Sequence, residues 1–227
     1  MEEKKGYSYR VKVIENGPYI ITGGVPLSQQ SILVDEEGFS YEWDEGKKYP
    51  FEREYSLCRC GNTKTIPFCD KSHLKVSFDG SETASRDPYL KQAEEITGPD
   101  LDLTDVYGLC AFARFCDRAG GIWELTHQSD EEKARQTAIQ EASNCPSGRL
   151  VVWDKKGKAI EPTLEPSIVL VEDQQQNVSG PIWVRGGIQI EAADGTLYEA
   201  RNRVTLCRCG RSINKPFCDA SHIEIQQ

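Results

Sequence analysis

The chain has 227 residues, of which 38% are hydrophobic and 28% are charged, and its formal net charge is −9. A protein that binds DNA or RNA phosphates needs clustered Lys and Arg, so this acidic composition disfavours nucleic-acid partners. No run approaches the ~20 apolar residues of a membrane helix, and residues 1–5 lack the apolar region of a secretory signal. We therefore expect a cytoplasmic protein that contacts neither nucleic acid nor membrane.

The first part of the chain, residues 1–77, is predicted to be a small β-rich module. Runs of β-branched and aromatic residues, separated by Gly and Pro, indicate strands at residues 9–14, 19–21 and 31–34. A short helix is expected to begin near Pro67.

The middle part, residues 78–160, has a different character. Ser129 and Glu132 have the spacing of a helix-capping box, and the run that follows places apolar residues on one helical face. These residues are Ala134, Ala138, Ile139 and Ala142. Strands are expected at 121–126 and 149–153, and the polar segment 80–100 is expected to be a connection.

The last part, residues 161–227, repeats the first. The pattern C-R-C-G-x-[ST]-x-x-x-P-F-C-D-x-S-H fits residues 58–73 and 207–222 without a gap. Farther upstream, residues 17–27 match 180–190. The offset is 163 residues for the upstream match and 149 for the cysteines, so the first copy carries 14 extra residues. Two copies of one module therefore flank a central insert.

The second copy is likewise expected to contain three strands and a short helix, with one addition. Strands are predicted at residues 168–171, 182–184 and 188–190, and a helix near Pro216. A returning strand at 196–200 follows an Asp-Gly turn.

The nine cysteines outnumber the three histidines and form three groups. Patterned thiols in a reducing compartment are more often metal ligands than disulfides. Each outer group is followed by a histidine, and the three groups are Cys58, Cys60, Cys69 with His73; Cys110, Cys116, Cys145; and Cys207, Cys209, Cys218 with His222. Soft thiolate ligands select zinc or iron–sulfur clusters. Structural zinc prefers C-x2–4-C pairs, whereas one residue separates the first two cysteines here, which favours iron–sulfur; a zinc-stabilised interaction module is the alternative.

Both outer motifs resemble the CDGSH iron–sulfur domain family, the mitoNEET-like proteins, whose pattern is C-x-C-x2-[ST]-x3-P-x-C-D-G-[SAT]-H. One position departs from it, because the glycine is Lys71 in the first copy and Ala220 in the second. A turn that needs positive φ would be strained at both residues. The layout of the whole chain resembles a prokaryotic form of the family, with two motifs around a ferredoxin-like insert.

The resemblance implies the cofactors and the fold. One 2Fe-2S cluster would be held by Cys58, Cys60, Cys69 and His73, and another by Cys207, Cys209, Cys218 and His222. Two cysteines would bind the inner iron of each cluster, and one cysteine with the histidine the outer iron. The implied fold is α+β, with two small β-rich CDGSH modules packed as an internal pseudo-dimer of a monomeric chain and a ferredoxin-like α+β insert between them.

The central cysteines have part of a ferredoxin pattern. Ferredoxins bind a 4Fe-4S cluster with C-x2-C-x2-C and a distant Cys-Pro; here Ala113 stands at the middle position, and Pro146 follows the last cysteine. Three cysteines suit a 3Fe-4S cluster, or a 4Fe-4S cluster with Asp117 or His127 as fourth ligand. Three buried thiols without a cluster are the alternative. The segment resembles the divergent mono-cluster ferredoxins, which often carry His where Phe112 stands here.

The sequence contains no nucleophile–base motif, phosphate loop or dinucleotide fingerprint. We therefore predict a carrier without catalysis of its own, which exchanges electrons or clusters with a redox or cluster-acceptor protein. A non-catalytic redox subunit of an oxidoreductase complex is the alternative. Because protonated imidazole cannot bind iron, clusters with a histidine ligand are expected to be lost below pH ~6.5.

Overall fold

The computed structural model describes residues 9–226. The strands are β1 Arg10–Val13, β2 Tyr19–Thr22, β3 Leu27–Val34, β4 Ser40–Tyr49, β5 Glu54–Leu57, β6 Glu94–Thr97, β7 Leu101–Asp105, β8 Leu150–Asp154, β9 Ala159–Ile160, β10 Ser167–Asp173, β11 Val178–Arg185, β12 Gln189–Glu191 and β13 Arg203–Leu206. The α-helices are α1 Tyr89–Gln92, α2 Ile122–His127 and α3 Glu132–Asn144, and the 3-10 helices are Ser72–Leu74, Tyr107–Leu109, Phe115–Gly120 and Ser221–Gln226. No helix in this part of the chain has the length and apolar composition to cross a membrane.

The two copies of the repeat exchange strands. The first sheet has the order β12-β1-β2-β5, and the second has the order β13-β11-β10-β3-β4. β1 pairs in parallel with β12, with Val11 opposite Ile190, and β10 pairs in parallel with β3, with Leu170 opposite Gln29. Each copy therefore supplies a strand to the sheet of the other.

One hydrophobic core is shared by both copies. Alternate residues of β1 point inward, as the two-residue period of a strand requires. Val11 and Ile21 of the first copy and Ile168 and Leu206 of the second are fully buried in the same cluster. Burial of each such side chain contributes ~1.5–3 kcal/mol. The α+β fold with the repeats packed as an internal pseudo-dimer is therefore confirmed.

The insert has its own sheet and core. The sheet order is β6-β7-β8-β9, and α2 and α3 bury apolar side chains in one cluster with it, including Leu103, Ile122, Ala138 and Val152. The predicted apolar face of α3 and the predicted strand at 149–153 are both confirmed.

The extra residues of the first copy overlap β4, an edge strand paired with β3. The Trp43 ring lies 4.8 Å from the Phe115 ring and 5.1 Å from the Trp183 ring, measured between centroids. Its Nε1 donates to the carbonyl of Asn144 at 3.3 Å. β4 thus ties the insert to the second sheet.

Two expectations about the insert's elements are wrong. Residues 121–126 form α2 rather than a strand, because helical spacing lets Ile122 and Leu125 reach the same core. The segment 80–100 is not only a connection, since α1 and β6 lie within it.

The expected capping box is also wrong. The Ser129 hydroxyl accepts the backbone N–H groups of Asp100 and Leu101, both at 3.0 Å. It therefore joins the start of β7 to the loop between the helices, and α3 begins at Glu132 without a side-chain cap.

Two expectations about the repeats need correction as well. The chain at Pro67 and Pro216 is a turn with a cis peptide bond, and the short helices begin farther on, at Ser72 and Ser221. Residues 196–200 form a single bridge to Glu191 in place of a strand. The other strands predicted in the repeats are present within a few residues of their expected bounds. The boundaries at residues 77 and 160 stay a prediction.

Candidate metal centres

The four ligands predicted for the first site lie as two close pairs. The Sγ atoms of Cys58 and Cys60 are 3.7 Å apart, and Cys69 Sγ is 3.5 Å from His73 Nδ1. The second site repeats this arrangement. There the Sγ atoms of Cys207 and Cys209 are 3.8 Å apart, and Cys218 Sγ is 3.5 Å from His222 Nδ1.

These spacings are those of two ligands on one tetrahedral ion. With metal–sulfur bonds of ~2.3 Å and a metal–nitrogen bond of ~2.05 Å, tetrahedral geometry separates two thiolates by ~3.8 Å and a thiolate from an imidazole by ~3.6 Å. Each site therefore has room for two ions, one at each pair. No three Cys, His, Asp or Glu side chains among residues 9–226 are placed to share one ion.

An aspartate closes the ligand loop in both copies. In the first, Asp70 accepts the backbone N–H groups of Lys64 and Ser72, both at 2.9 Å. In the second, Asp219 accepts the N–H of Ile213 at 2.7 Å and that of Ser221 at 3.1 Å. The hydrogen bond from Lys64 does most to hold the pKa of Asp70 well below its ordinary value. Both aspartates are thus loop caps rather than metal ligands.

The Thr or Ser at the same motif position in each copy has a similar role. The Thr63 hydroxyl donates to the carbonyl of Phe68 at 2.6 Å, and the Ser212 hydroxyl donates to that of Phe217 at 2.7 Å. Each hydroxyl fixes the residue immediately before the third cysteine. A hydroxyl at this motif position therefore supports the position of a ligand without binding the metal itself.

Lys71 and Ala220 have the left-handed backbone that normally favours glycine. Their φ angles are 67° and 71°, a conformation that costs a side-chain-bearing residue ~1–2 kcal/mol. This turn lets the Lys71 N–H donate to Cys69 Sγ at 3.4 Å and the Ala220 N–H to Cys218 Sγ at 3.5 Å. The strain expected at this departure from the family pattern is therefore present in both copies.

The two sites lie against each other. Cys58 of the first site and Cys209 and His222 of the second line one cavity of about 270 Å³. Tyr19, from β2 of the first copy, donates its hydroxyl to the Cys207 carbonyl of the second at 2.9 Å. Strand exchange thus brings the two ligand sets to a shared surface inside one chain.

The arginines between the ligands differ in their partners. Arg59 is fully buried and donates to the carbonyls of Ile14, at 3.1 Å, and Gly80, at 2.6 Å. Arg208 makes an ion pair with Glu172 at 2.7 Å. The positive charge beside the second site is therefore already paired with a carboxylate.

Burial makes several of the thiols costly to ionise. It raises the pKa of Cys60 and of Cys218. Cys207 differs, since a hydrogen bond with the Cys209 thiol lowers its pKa to about 6. Buried thiolates need a cation nearby, so this donor set fits a thiophilic metal centre.

The three central cysteines also come together. Cys110, Cys116 and Cys145 line one cavity in the insert. In the loop between the first two, Phe112 and Arg114 have left-handed backbone, with φ of 56° and 60°. Left-handed residues that alternate with residues of other backbone conformation form concave nests of backbone N–H groups, and such nests occur at many Fe–S sites.

Neither fourth ligand considered for the central site is in place. His127 is exposed at the end of α2 and does not line the cavity. Asp117 Oδ1 is 3.5 Å from Cys116 Sγ, which is the spacing of two ligands on one ion, whereas the ligands of a cubane bind different irons. Ala113 lies in the cavity wall, where ferredoxins have their middle cysteine.

Sequence reasoning missed two charged residues at the central site. Arg149 lines the cavity and makes hydrogen bonds of 2.5 and 2.7 Å to both carboxylate oxygens of Asp105. Arg114, in the cysteine loop, makes an ion pair with Asp173 of β10 at 2.5 Å. Arg149 lies only four residues after Cys145 in the sequence, and this short separation could have indicated that Arg149 lies near the central site.

Fold and sites together define a protein of the metal-binding class, in which two paired Cys/His sites flank a cysteine-lined insert. The family model for the iron-binding zinc finger of CDGSH type matches residues 16–74 and 179–223, and the model for the divergent 4Fe-4S mono-cluster matches 96–155. The chain thus contains two CDGSH-type iron-binding domains with a divergent 4Fe-4S domain between them. No curated protein and no solved structure matches it significantly.

Proposed function

We propose that the chain binds a 2Fe-2S cluster at each of the two Cys/His sites and serves as a one-electron carrier. The observation that carries the proposal is the division of each ligand set into two pairs. Cys58–Cys60 and Cys69–His73, like their counterparts in the second copy, each have the spacing of ligands on a single ion. A binuclear cluster requires this arrangement, in which two adjacent ions have two protein ligands each.

The histidine ligand bears on the redox chemistry. Neutral imidazole in place of a thiolate removes one negative charge from the site, which raises the reduction potential, as in Rieske centres. The N–H groups of Lys71 and Ala220 at the sulfurs of Cys69 and Cys218 act in the same direction, because they stabilise added negative charge. When bound, the clusters supply the one-electron chemistry, and these residues hold them and adjust their potential.

We propose a third centre, of 3Fe-4S or 4Fe-4S type, at Cys110, Cys116 and Cys145. The match to the divergent 4Fe-4S mono-cluster model and the shared cavity support it. The Arg149 guanidinium and the N–H groups of the Phe112–Arg114 turn place positive charge around the three thiols. Such charge offsets the net negative charge of a thiolate-bound cluster.

The three proposed centres would lie in series. The loops of the two outer sites touch through their backbones, at Gly61 with Cys209 and at Gly210 with Cys60. The second site also adjoins the insert, since Asn214 Nδ2 donates to the carbonyl of Gly108 at 2.9 Å. This order supports electron transfer, with cluster transfer to an acceptor protein or service as a redox subunit as the competing functions. We also propose a reducing compartment such as the cytoplasm, where thiols arranged as metal ligands persist.

The test is anaerobic purification from iron-replete cells with iron, sulfide and zinc analysis. We expect broad absorption between ~350 and 550 nm that bleaches with dithionite, and at least four irons and four sulfides per chain. Cys69→Ser should lower the iron content by about two, and so should its counterpart Cys218→Ser. A colourless protein that contains only zinc would overturn the proposal.

A further inference from the structure

The outer ligand pairs of the two CDGSH sites differ in exposure. Cys218 and His222 are 3% and 4% exposed, whereas Cys69 and His73 are half-buried. The next residue shows the same difference, since Leu74 is 74% exposed and its counterpart Ile223 is half-buried. The first site therefore presents its outer ligands to solvent, and the second does not.

The cover over the second site comes partly from β11 and partly from the insert. The 3-10 helix Ser221–Gln226, which contains His222, packs against β11. Asp173, at the end of β10, and Arg114, from the cysteine loop of the insert, form an ion pair whose two members both act electrostatically on His222. Arg114 of the insert thus contributes to the cover over the second site, whereas the outer ligands of the first site are only half-buried.

The first site is also surrounded by lysines. Lys64, Lys71 and Lys75 are all exposed, and the ion pairs found among residues 9–226 include none of them. Their counterparts in the second copy are Ile213, Ala220 and Glu224. The second copy has its own cations, Arg211 and Lys215, and Lys215 is half-buried against the Ser212 carbonyl.

We propose that Lys64, Lys71 and Lys75, together with exposed Leu74, form the docking surface for an acidic one-electron redox protein, and that electrons enter or leave the chain through the first site. This inference rests on the proposed function. Three unpaired cations around half-buried ligands, on a chain of net charge −9, make a local positive face that attracts a negatively charged partner. In each encounter the partner loses one electron and the first site gains it, or the reverse, and no atoms are transferred.

The experiment uses an acidic plant-type 2Fe-2S ferredoxin, reduced beforehand, as the probe. Its oxidation by the oxidised full chain is followed by anaerobic stopped flow at low and high ionic strength. A triple variant, Lys64→Gln, Lys71→Gln and Lys75→Gln, should lower the second-order rate constant about tenfold at low salt. The difference should nearly vanish at ~1 M salt, where the Debye length is ~3 Å.

The matched control changes the net charge equally at a distance from both sites. It carries Lys133→Gln, Lys156→Gln and Lys158→Gln, three exposed lysines of the insert, and its rate constant should stay within about twofold of the parent. Equal losses in the two triple variants, or no loss in the first, would overturn the docking surface. Normal cluster content in every variant separates that failure from a failure of the proposed function.

A second measurement identifies the site of entry. His73→Cys gives the first site four thiolate ligands, and therefore both an EPR spectrum distinct from that of the second site and a lower potential. Freeze-quenched samples should show the four-cysteine signal of the first site at the earliest times, before the electron passes to the histidine-ligated second site. Earlier appearance of the histidine-ligated signal would refute entry through the first site.

Discussion

Gly61 and Gly210 each contact the backbone of the other's loop. A Cβ atom added at Gly61 would lie 2.5 Å from the carbonyl oxygen of Cys209, and one added at Gly210 would lie 2.7 Å from that of Cys60. Both glycines also have positive φ, 74° and 81°. The contact between the two ligand loops thus depends on the absence of a side chain at two equivalent positions.

Alanine at either position should separate the loops. Gly61→Ala and Gly210→Ala are each expected to lower the free energy of unfolding by about 2–4 kcal/mol, the sum of left-handed strain and overpacking. Gly187→Ala is the control, because Gly187 has φ of 73° but nothing within 4 Å of an added Cβ. It should cost only ~1–2 kcal/mol. Equal costs in denaturant unfolding for all three variants would show that the loop contact is unimportant.

The left-handed turn after the third cysteine predicts stabilising substitutions. Lys71→Gly and Ala220→Gly should each raise the free energy of unfolding by about 0.5–1 kcal/mol, because relief of strain exceeds the added entropy of the unfolded chain. Lys75→Gly, at a residue with φ of −103°, should instead destabilise. Thermal unfolding of the three variants measures this, and stabilisation by Lys75→Gly would contradict the argument.

Glu141 predicts a pH dependence of stability. It is fully buried on α3, neither carboxylate oxygen has a hydrogen-bond partner, and burial raises its pKa to about 8. Between pH ~4.5 and 8 the unfolded chain releases this proton while the folded chain keeps it, so stability falls as the pH rises. Glu141→Gln should therefore stabilise by about 1–3 kcal/mol at pH 8, and by less toward pH 4.5.

Exposed Glu132, on the same helix, provides the control for that experiment. Glu132→Gln removes a carboxylate that hydrogen-bonds Arg135 and Gln136, and its effect should stay constant between pH 5 and 8. Unfolding curves at several pH values compare the two variants. A gap between Glu141→Gln and the parent that does not grow with pH would refute the assignment.

The two CDGSH sites should lose their clusters at different pH values. Burial lowers the pKa of His222 to about 4, so at pH 5 roughly nine-tenths of this imidazole is neutral and available to the metal. His73 is only half-buried and is therefore more accessible to solvent than His222. Bleaching during an acid titration should therefore occur in two steps, with the first site lost at the higher pH.

Cysteine variants assign those steps. His73→Cys should remove the step at higher pH and His222→Cys the step at lower pH, because four thiolates lack the imidazole proton switch. A single step in the parent, at a pH unaffected by either variant, would contradict the predicted difference between the sites.

The sequence predicts the ligands better than it predicts their surroundings. Cys58 and His73 are identified by the spacing of the motif and by its repetition in the chain. Neither of these depends on how the flanking strands pair. The pairing of β1 with β12 is not predictable in this way, since Val11 and Val13 alternate identically whether the partner strand belongs to the same copy or the other. The helix at 122–127 was missed because a run of only six residues, rich in β-branched and aromatic side chains, fits the two-residue period of a strand as well as the 3.6-residue period of a helix.

The surroundings of the central site could not be predicted from the sequence either. The repeat offers no second copy against which to compare Cys110, Cys116 and Cys145, and charged contacts such as Arg114 with Asp173 join residues 59 positions apart. Long-range ion pairs leave no local pattern. Only the approach of the insert to the second copy reveals them.

The exchange of strands within one polypeptide has a consequence for how the two halves differ. A symmetric homodimer must place the same amino acid at both equivalent positions, so any change at one centre is made at the other. Here Lys71 and Ala220 occupy equivalent turns with different side chains, and Leu74 and Ile223 follow equivalent histidines in different environments. Joining the halves covalently has freed each metal centre to specialise.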